Sequence, residues 1–161
     1  MPPSEIPHPL PLPIEQGGEK DGEMANPKVV LDTKGLQQLK RKEPEKVATW
    51  LDGFAEDMVS RIKLSFNTSP PGRTYTRGGV SHTASQEGYP PNVDIGTLWA
   101  SIRWKRDGQF TRKIMDGVEY GIHLEDGTES IAPRPFMQPV FADAQKRIGQ
   151  DAKDNLGLED V

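Results

Sequence analysis

The sequence predicts an α+β fold: an antiparallel sheet of about four strands, packed by one long and one medium helix. Three observations carry that expectation. Over residues 43–66 the apolar positions Val47, Trp50, Leu51, Phe54, Met58, Ile62 and Phe66 recur at helical spacing. From residue 100 to 125, short segments rich in strand formers are separated by Asp107-Gly108 and Asp116-Gly117, a turn chemistry that favours a meander. A second helical period runs through Val140, Phe141, Ala144, Ile148, Ala152 and Leu156. No internal repeat is visible.

In chain order, residues 1–27 hold seven prolines, including the alternation "IPHPLPLPI". Each proline fixes φ and removes a backbone donor, so polyproline II is expected rather than helix or central strand. Two readings stand for this segment: a disordered tail, or an extended arm whose Ile6, Leu10, Leu12 and Ile14 dock on a neighbouring subunit. The acidic, glycine-bearing link "EQGGEKDGE" separates it from a single domain over residues 28–157, with residues 158–161 as a tail. "KVVLD" (28–32) reads as a first strand. The long helix follows, with Pro44 in its first turn and Glu43 and Glu45 at the positive end of its dipole. Its length would be about 35 Å at 1.5 Å per residue.

Residues 67–92 show no sustained apolar periodicity. A loop of this length usually means function or disorder, and bent double it reaches roughly 40 Å from its base. Docking onto another protein through Tyr75, Val80 and Tyr89 is the sharper expectation. Asp94 is placed to cap a short turn through "IGTLWASI". "VEYGIHLE" alternates Val118, Tyr120, Ile122 and Leu124 against polar neighbours, as a half-buried strand would. Pro139 suits only a first helical turn, and Gly157 is a plausible stop for the last helix.

Composition narrows the function classes. The hydrophobic fraction is 34%, and Gly and Pro together make 31 residues, so part of the chain is expected to stay out of the core. A net charge of −4 argues against a general polyanion binder. The absence of cysteine excludes disulfides and thiolate metal sites. No apolar run reaches membrane-spanning length, and "MPPSEIPHPLPLPIEQ" lacks the features of a signal peptide, so use without export is expected.

Signs of chemistry are few. His8, His82 and His123 are the only histidines. Ser81-His82 is not a triad by adjacency, and His123, Glu125 and Asp126 lack the spacing of a zinc or hard-metal site. No phosphate loop or nucleotide fingerprint is present. No catalytic residue, cofactor or metal is expected. Basic residues do gather: Arg73 and Arg77 flank Tyr75, and Arg103, Lys105, Arg106, Arg112 and Lys113 bracket a hairpin. They read either as exposed strand charges or as contacts to a phosphate backbone, which would make a small nucleic-acid-binding module.

Residues 119–141, "EYGIHLEDGTESIAPRPFMQPVF", add a resemblance. A strand of the kind Tyr-x-x-x-x-Glu-x-Gly-Thr, then Ala-Arg-Pro-Phe before a final helix, resembles the tail-completion or neck family of tailed bacteriophages, including the minor tail protein Z type. Tyr120, Glu125, Gly127 and Thr128 match the first part. Ala132, Arg134, Pro135 and Phe136 match the second, with Pro133 inserted. "PPNVDIGTLWASI" is similar to the family's Pro-x-x-Asp-x-Gly-x-Leu-x-x-Ser-Ile element through Asp94, Gly96, Leu98, Ser101 and Ile102. The resemblance covers roughly residues 45–156 and leaves out the proline arm. It implies a structural subunit of a ring, a hexamer, that completes the tail or joins it to the head. Its partners would be connector or head-completion proteins and tail-tube or tail-terminator proteins. Genomic DNA would pass close by, with Arg73 and Arg77 as channel-lining candidates. The protein would reside in the virion, and in host cytoplasm during assembly. In this frame Gly127 permits a tight turn, Pro133 and Pro135 fix the exit angle, and Phe136 anchors in the core or at a subunit interface. Arg134 either pairs with Glu125 or is simply exposed.

Overall fold

A computed structural model describes residues 34–158 apart from 67 and 95. The expected arm (1–27) and first strand (28–32) lie outside the described residues. Five helices and four strands follow in the order α1 (Lys34–Lys42), α2 (Pro44–Ser65), β1 (Pro71–Arg77), β2 (Val80–Ser85), α3 (Thr97–Ser101), β3 (Arg103–Arg106), β4 (Arg112–Met115), α4 (Gly121–Asp126) and α5 (Gln138–Leu156).

The spine is α2. Pro44 opens it, Glu45 lies in its first turn, and its buried face holds Val47, Phe54, Met58 and Ile62. Against it lies α5, whose Ala144, Ile148, Ala152 and Leu156 fall four residues apart on one buried stripe. Two of these are alanines fully removed from solvent, which suits a close approach of the two helices. Polar ties reinforce the pair: Trp50 Nε1–H donates to Asp151 at 2.7 Å, and Arg147 meets Asp57 at 2.6 Å. The helix ends at Gly157 in the left-handed region, as the sequence predicts. Helix α1, which sequence periodicity did not mark, seats Leu36 against Val47, Ala152 and Leu156 at the far end of the spine.

The β3–β4 hairpin forms where Asp107-Gly108 predicts it, pairing Trp104 with Ile114 and Arg106 with Arg112. Ile114 enters the main core. Two arginines directly opposite each other would repel, but both guanidiniums grip the carboxylate of Asp52 on α2. Trp104 Nε1–H also donates to Glu56 on α2, at 2.6 Å.

Three expectations need correction. Among the described residues the strands form two separate two-stranded antiparallel sheets, and the expected sheet of about four, which counted the strand at 28–32 outside these residues, is not seen. The segment 118–125, expected as a strand beside β4, instead turns into α4. Leu124 N–H donates to the Tyr120 carbonyl, and the Leu124 carbonyl accepts from Arg134 N–H at 2.6 Å, so a strand ladder is replaced by helical and tertiary bonds. Over so few residues, period two and period 3.6 cannot be separated by hydrophobicity alone. The long loop is not structureless: β1 and β2 pair from Arg77↔Val80 back to Pro71↔Ser85 around Gly78-Gly79. Every residue of β1 is exposed, so no alternation announced it. Finally, Asp94 does not cap α3, whose N-cap is Gly96 without a side-chain bond.

Candidate functional site

The motif residues of the sequence converge on one corner between α4 and α5. Glu125, on α4, turns its carboxylate onto the start of α5. Its Oε2 accepts from the backbone N–H groups of Phe136 and Met137 at 2.9 and 3.0 Å, and its Oε1 from that of Gln138 at 2.7 Å. Amides at a helix start have no intrahelical partner, and the helix dipole favours an anion there. Helix α5 has no acidic residue in its own first turn and no capping side chain at Met137. Glu125 supplies both functions from a distance. The expected Glu125–Arg134 pair is therefore absent, because three amides already occupy the carboxylate. Arg134 Nε–H reaches the Ser85 carbonyl instead, at 3.4 Å.

Gly127 ends α4 with φ 76 and ψ −178, and a Cβ there would stand 2.8 Å from the Ile131 carbonyl oxygen and 2.9 Å from the Pro133 ring. Thr128 closes the following turn: its N–H donates to Ile131 O at 2.8 Å, and its hydroxyl accepts from Ser130 and Ile131 N–H. Ala132 and Pro135 are half-buried and Pro133 is exposed along this strap. Phe136 is 1% exposed and packs on Phe66, ring centroids 5.5 Å apart, which places it in the core. Behind Glu125 lies Asp116, whose carboxyl is raised above its ordinary value by burial and by the charge of Glu125.

Beside the corner opens a groove of about 930 Å³, lined by the β1–β2 hairpin, the segment entering α3, α4 and the strap. Of the eight large hydrophobics exposed among the described residues, six line it: Tyr75, Val80, Val93, Trp99, Tyr120 and Ile131. Apolar concavities with clustered exposed rings are a common feature of interaction surfaces. Lys63 Nζ stands over the Trp99 ring, 4.8 Å from its centroid. A side-chain contact ties the hairpin to the segment entering α3. His82 Nδ1 lies 2.5 Å from Asp94 Oδ1, with Tyr75 stacked on the imidazole at 5.6 Å. At its foot a Cβ on Gly72 would overlap the Ser85 backbone, so only glycine lets the strands close there.

The structure thus gathers Tyr75, Val80, Arg73, Arg77, Asp94, Gly96, Leu98, Tyr120 and Arg134 around one groove. Leu98 is buried at its base, and Tyr89 is exposed but does not line it. Leu10 and Leu12 lie outside the described residues. Trp99, Val93 and Ile131 join the site without having been singled out, since sequence alone does not separate an exposed aromatic from a core one. Arg73, Tyr75 and Arg77 all line the groove from β1. Among the described residues neither arginine has a carboxylate partner. The 103–113 cluster differs, because Arg106 and Arg112 are committed to Asp52. Among the described residues no three His, Asp or Glu side chains gather as a metal site, and no helix is long and apolar enough to cross a membrane. Comparison with protein-family models, with curated proteins and with solved structures returns no match.

Proposed function

We propose that the chain is a structural virion protein of a tailed bacteriophage, one subunit of a hexameric ring that completes the tail or joins it to the head around the DNA channel. The observation that supports this reading is the corner, where the motif residues meet although the first part of the motif is the helix α4 and not the strand that the resemblance implies. Glu125, Gly127, Thr128, Arg134 and Phe136, the residues of the tail-completion resemblance, are spent on fixing α4 to α5 by hydrogen bonds and packing. That is the use a rigid building block makes of them. The protruding hairpin and the apolar groove beside it are then the surfaces through which copies and adjoining rings meet, in host cytoplasm during assembly and in the finished particle. Native mass spectrometry of the chain, alone and with purified tails, tests it. A mass of six subunits is expected. A monomer under both conditions, together with particles lacking this chain at their head–tail junction, overturns it.

A nucleic-acid-binding module is the second reading, favoured by Arg73 and Arg77 on either side of Tyr75, which have no carboxylate partner among the described residues. It requires binding by the isolated chain that weakens steeply with salt.

A further inference from the structure

We infer that the groove is the docking site for the proline-rich segment 5–15, "EIPHPLPLPIE", of a second copy of this chain. The inference takes from the proposed function only that copies meet, and it names what joins them. Three matches support it.

The first is chemical shape. Prolines at every second position favour an extended, left-handed helix that cannot add to a sheet but presents apolar ridges all round. Such a segment enters grooves paved with exposed aromatic rings, because it is already ordered and loses little entropy on docking. Tyr75, Trp99 and Tyr120 supply those rings, with Val80, Val93 and Ile131 between them.

The second is charge. Residues 1–27 carry Glu5, Glu15, Glu19, Asp21 and Glu23 against Lys20 alone, which is the whole net charge of −4 of the chain. The groove faces this with Arg73, Arg77 and Arg134, opposed by Asp94, which His82 already engages. Glu5 and Glu15 bracket the apolar run, about 31 Å apart at 3.1 Å per residue.

The third is position. Leu36 roots α1 beside Val47 and Leu156, at the opposite end of α2 from Phe66, which lines the groove. Val47 and Phe66 are separated by roughly 29 Å of helix. The described chain therefore starts a spine's length from its own groove, whereas a neighbour placed head to tail brings root and groove together. Head-to-tail contacts of this kind generate rings where the rotation between copies closes.

The test uses the full chain with a photo-crosslinking residue at Leu12, mixed as heavy- and light-isotope copies and read by mass spectrometry. Cross-links joining heavy to light chains at Trp99, Tyr120 or the hairpin are expected. The double variant Trp99→Ala/Tyr120→Ala should lower their yield roughly tenfold, as loss of aromatic anchors does. Arg73→Glu/Arg77→Glu, on the exposed hairpin, should lower it too and serves if the first variant does not fold. Cross-links confined to single chains, cross-links mapping elsewhere, or an unchanged yield in folded groove variants overturn the inference. A hexamer by native mass spectrometry without groove cross-links sinks the docking site and leaves the ring standing. Groove cross-links between copies that stop at dimers do the reverse.

Discussion

Glu125 satisfies three backbone donors with one carboxylate, and those donors lie eleven to thirteen residues further along the chain. Glu125→Gln keeps the shape but removes the charge and turns an amide NH₂ toward N–H groups. A loss of about 1–2 kcal/mol is expected in denaturant unfolding, in the range of a lost helix cap. Gly127→Val forces a side chain into a left-handed position already closed off by Ile131 and Pro133. The expected cost is at least about 1–3 kcal/mol, read as a fall in Tm. Asp116 carries the opposite sign from most carboxylates. Its raised pKa means the folded state resists ionisation, so stability falls as pH rises from the ordinary 3.8 through the folded value. Asp116→Asn should therefore raise Tm at neutral pH, with the gain vanishing in acid. Asp52 is held low by hydrogen bonds from Arg106 and Arg112 against the opposing effect of burial. For Asp57, burial is the largest influence and raises the carboxyl, yet Arg61 and Arg147 together leave it low. Both contribute stability above the ordinary carboxylate range that is lost as pH falls through their folded values. At this scale Gly127 was legible, because an Asp-Gly turn states its own backbone requirement. The role of Glu125 was not, because its partners are amides that carry no side-chain signature.

Among elements, α2 and α5 were legible because each buries one stripe over many turns, and a long period is hard to mistake. Ile62, wholly buried in the main core, should cost about 2–5 kcal/mol when cut to alanine. Helix α4 was misread because six residues hold too little of either period, and tertiary bonds from Arg134 and Glu125 decide the outcome. The β1–β2 hairpin was missed for a different reason: with all of β1 in solvent, burial leaves no pattern to read. Only Gly78-Gly79 and the β-branched threonines hinted at it. Because the hairpin packs mostly on itself, replacing residues 74–83 with a short Gly-Ser link should leave the folded body in place, with near-native circular dichroism. If the proposed function holds, the same variant fails to join heads to tails, and normal plaques from it would defeat the assignment of the hairpin as a contact element.

For the whole molecule, the α+β class and its single long spine were predictable, while the separation into two small hairpins was not. Net charge was the least informative number, since the −4 of the chain belongs to residues 1–27 and the remainder is balanced. An average over the chain therefore says little about what the domain surface prefers. Self-association driven by an acidic segment meeting Arg73 and Arg77 should weaken as salt shortens the reach of those charges. Sedimentation across a salt series checks this, and association that strengthens with salt would point to apolar contact alone.

The strap at residues 131–134 is bonded on both sides. Gly88 N–H donates to the Pro133 carbonyl at 2.9 Å, Arg134 Nε–H reaches Ser85, and Arg134 N–H holds Leu124. The foot of the hairpin and helix α4 are thereby stapled to the same four residues, so any change in the length of the strap is felt at both.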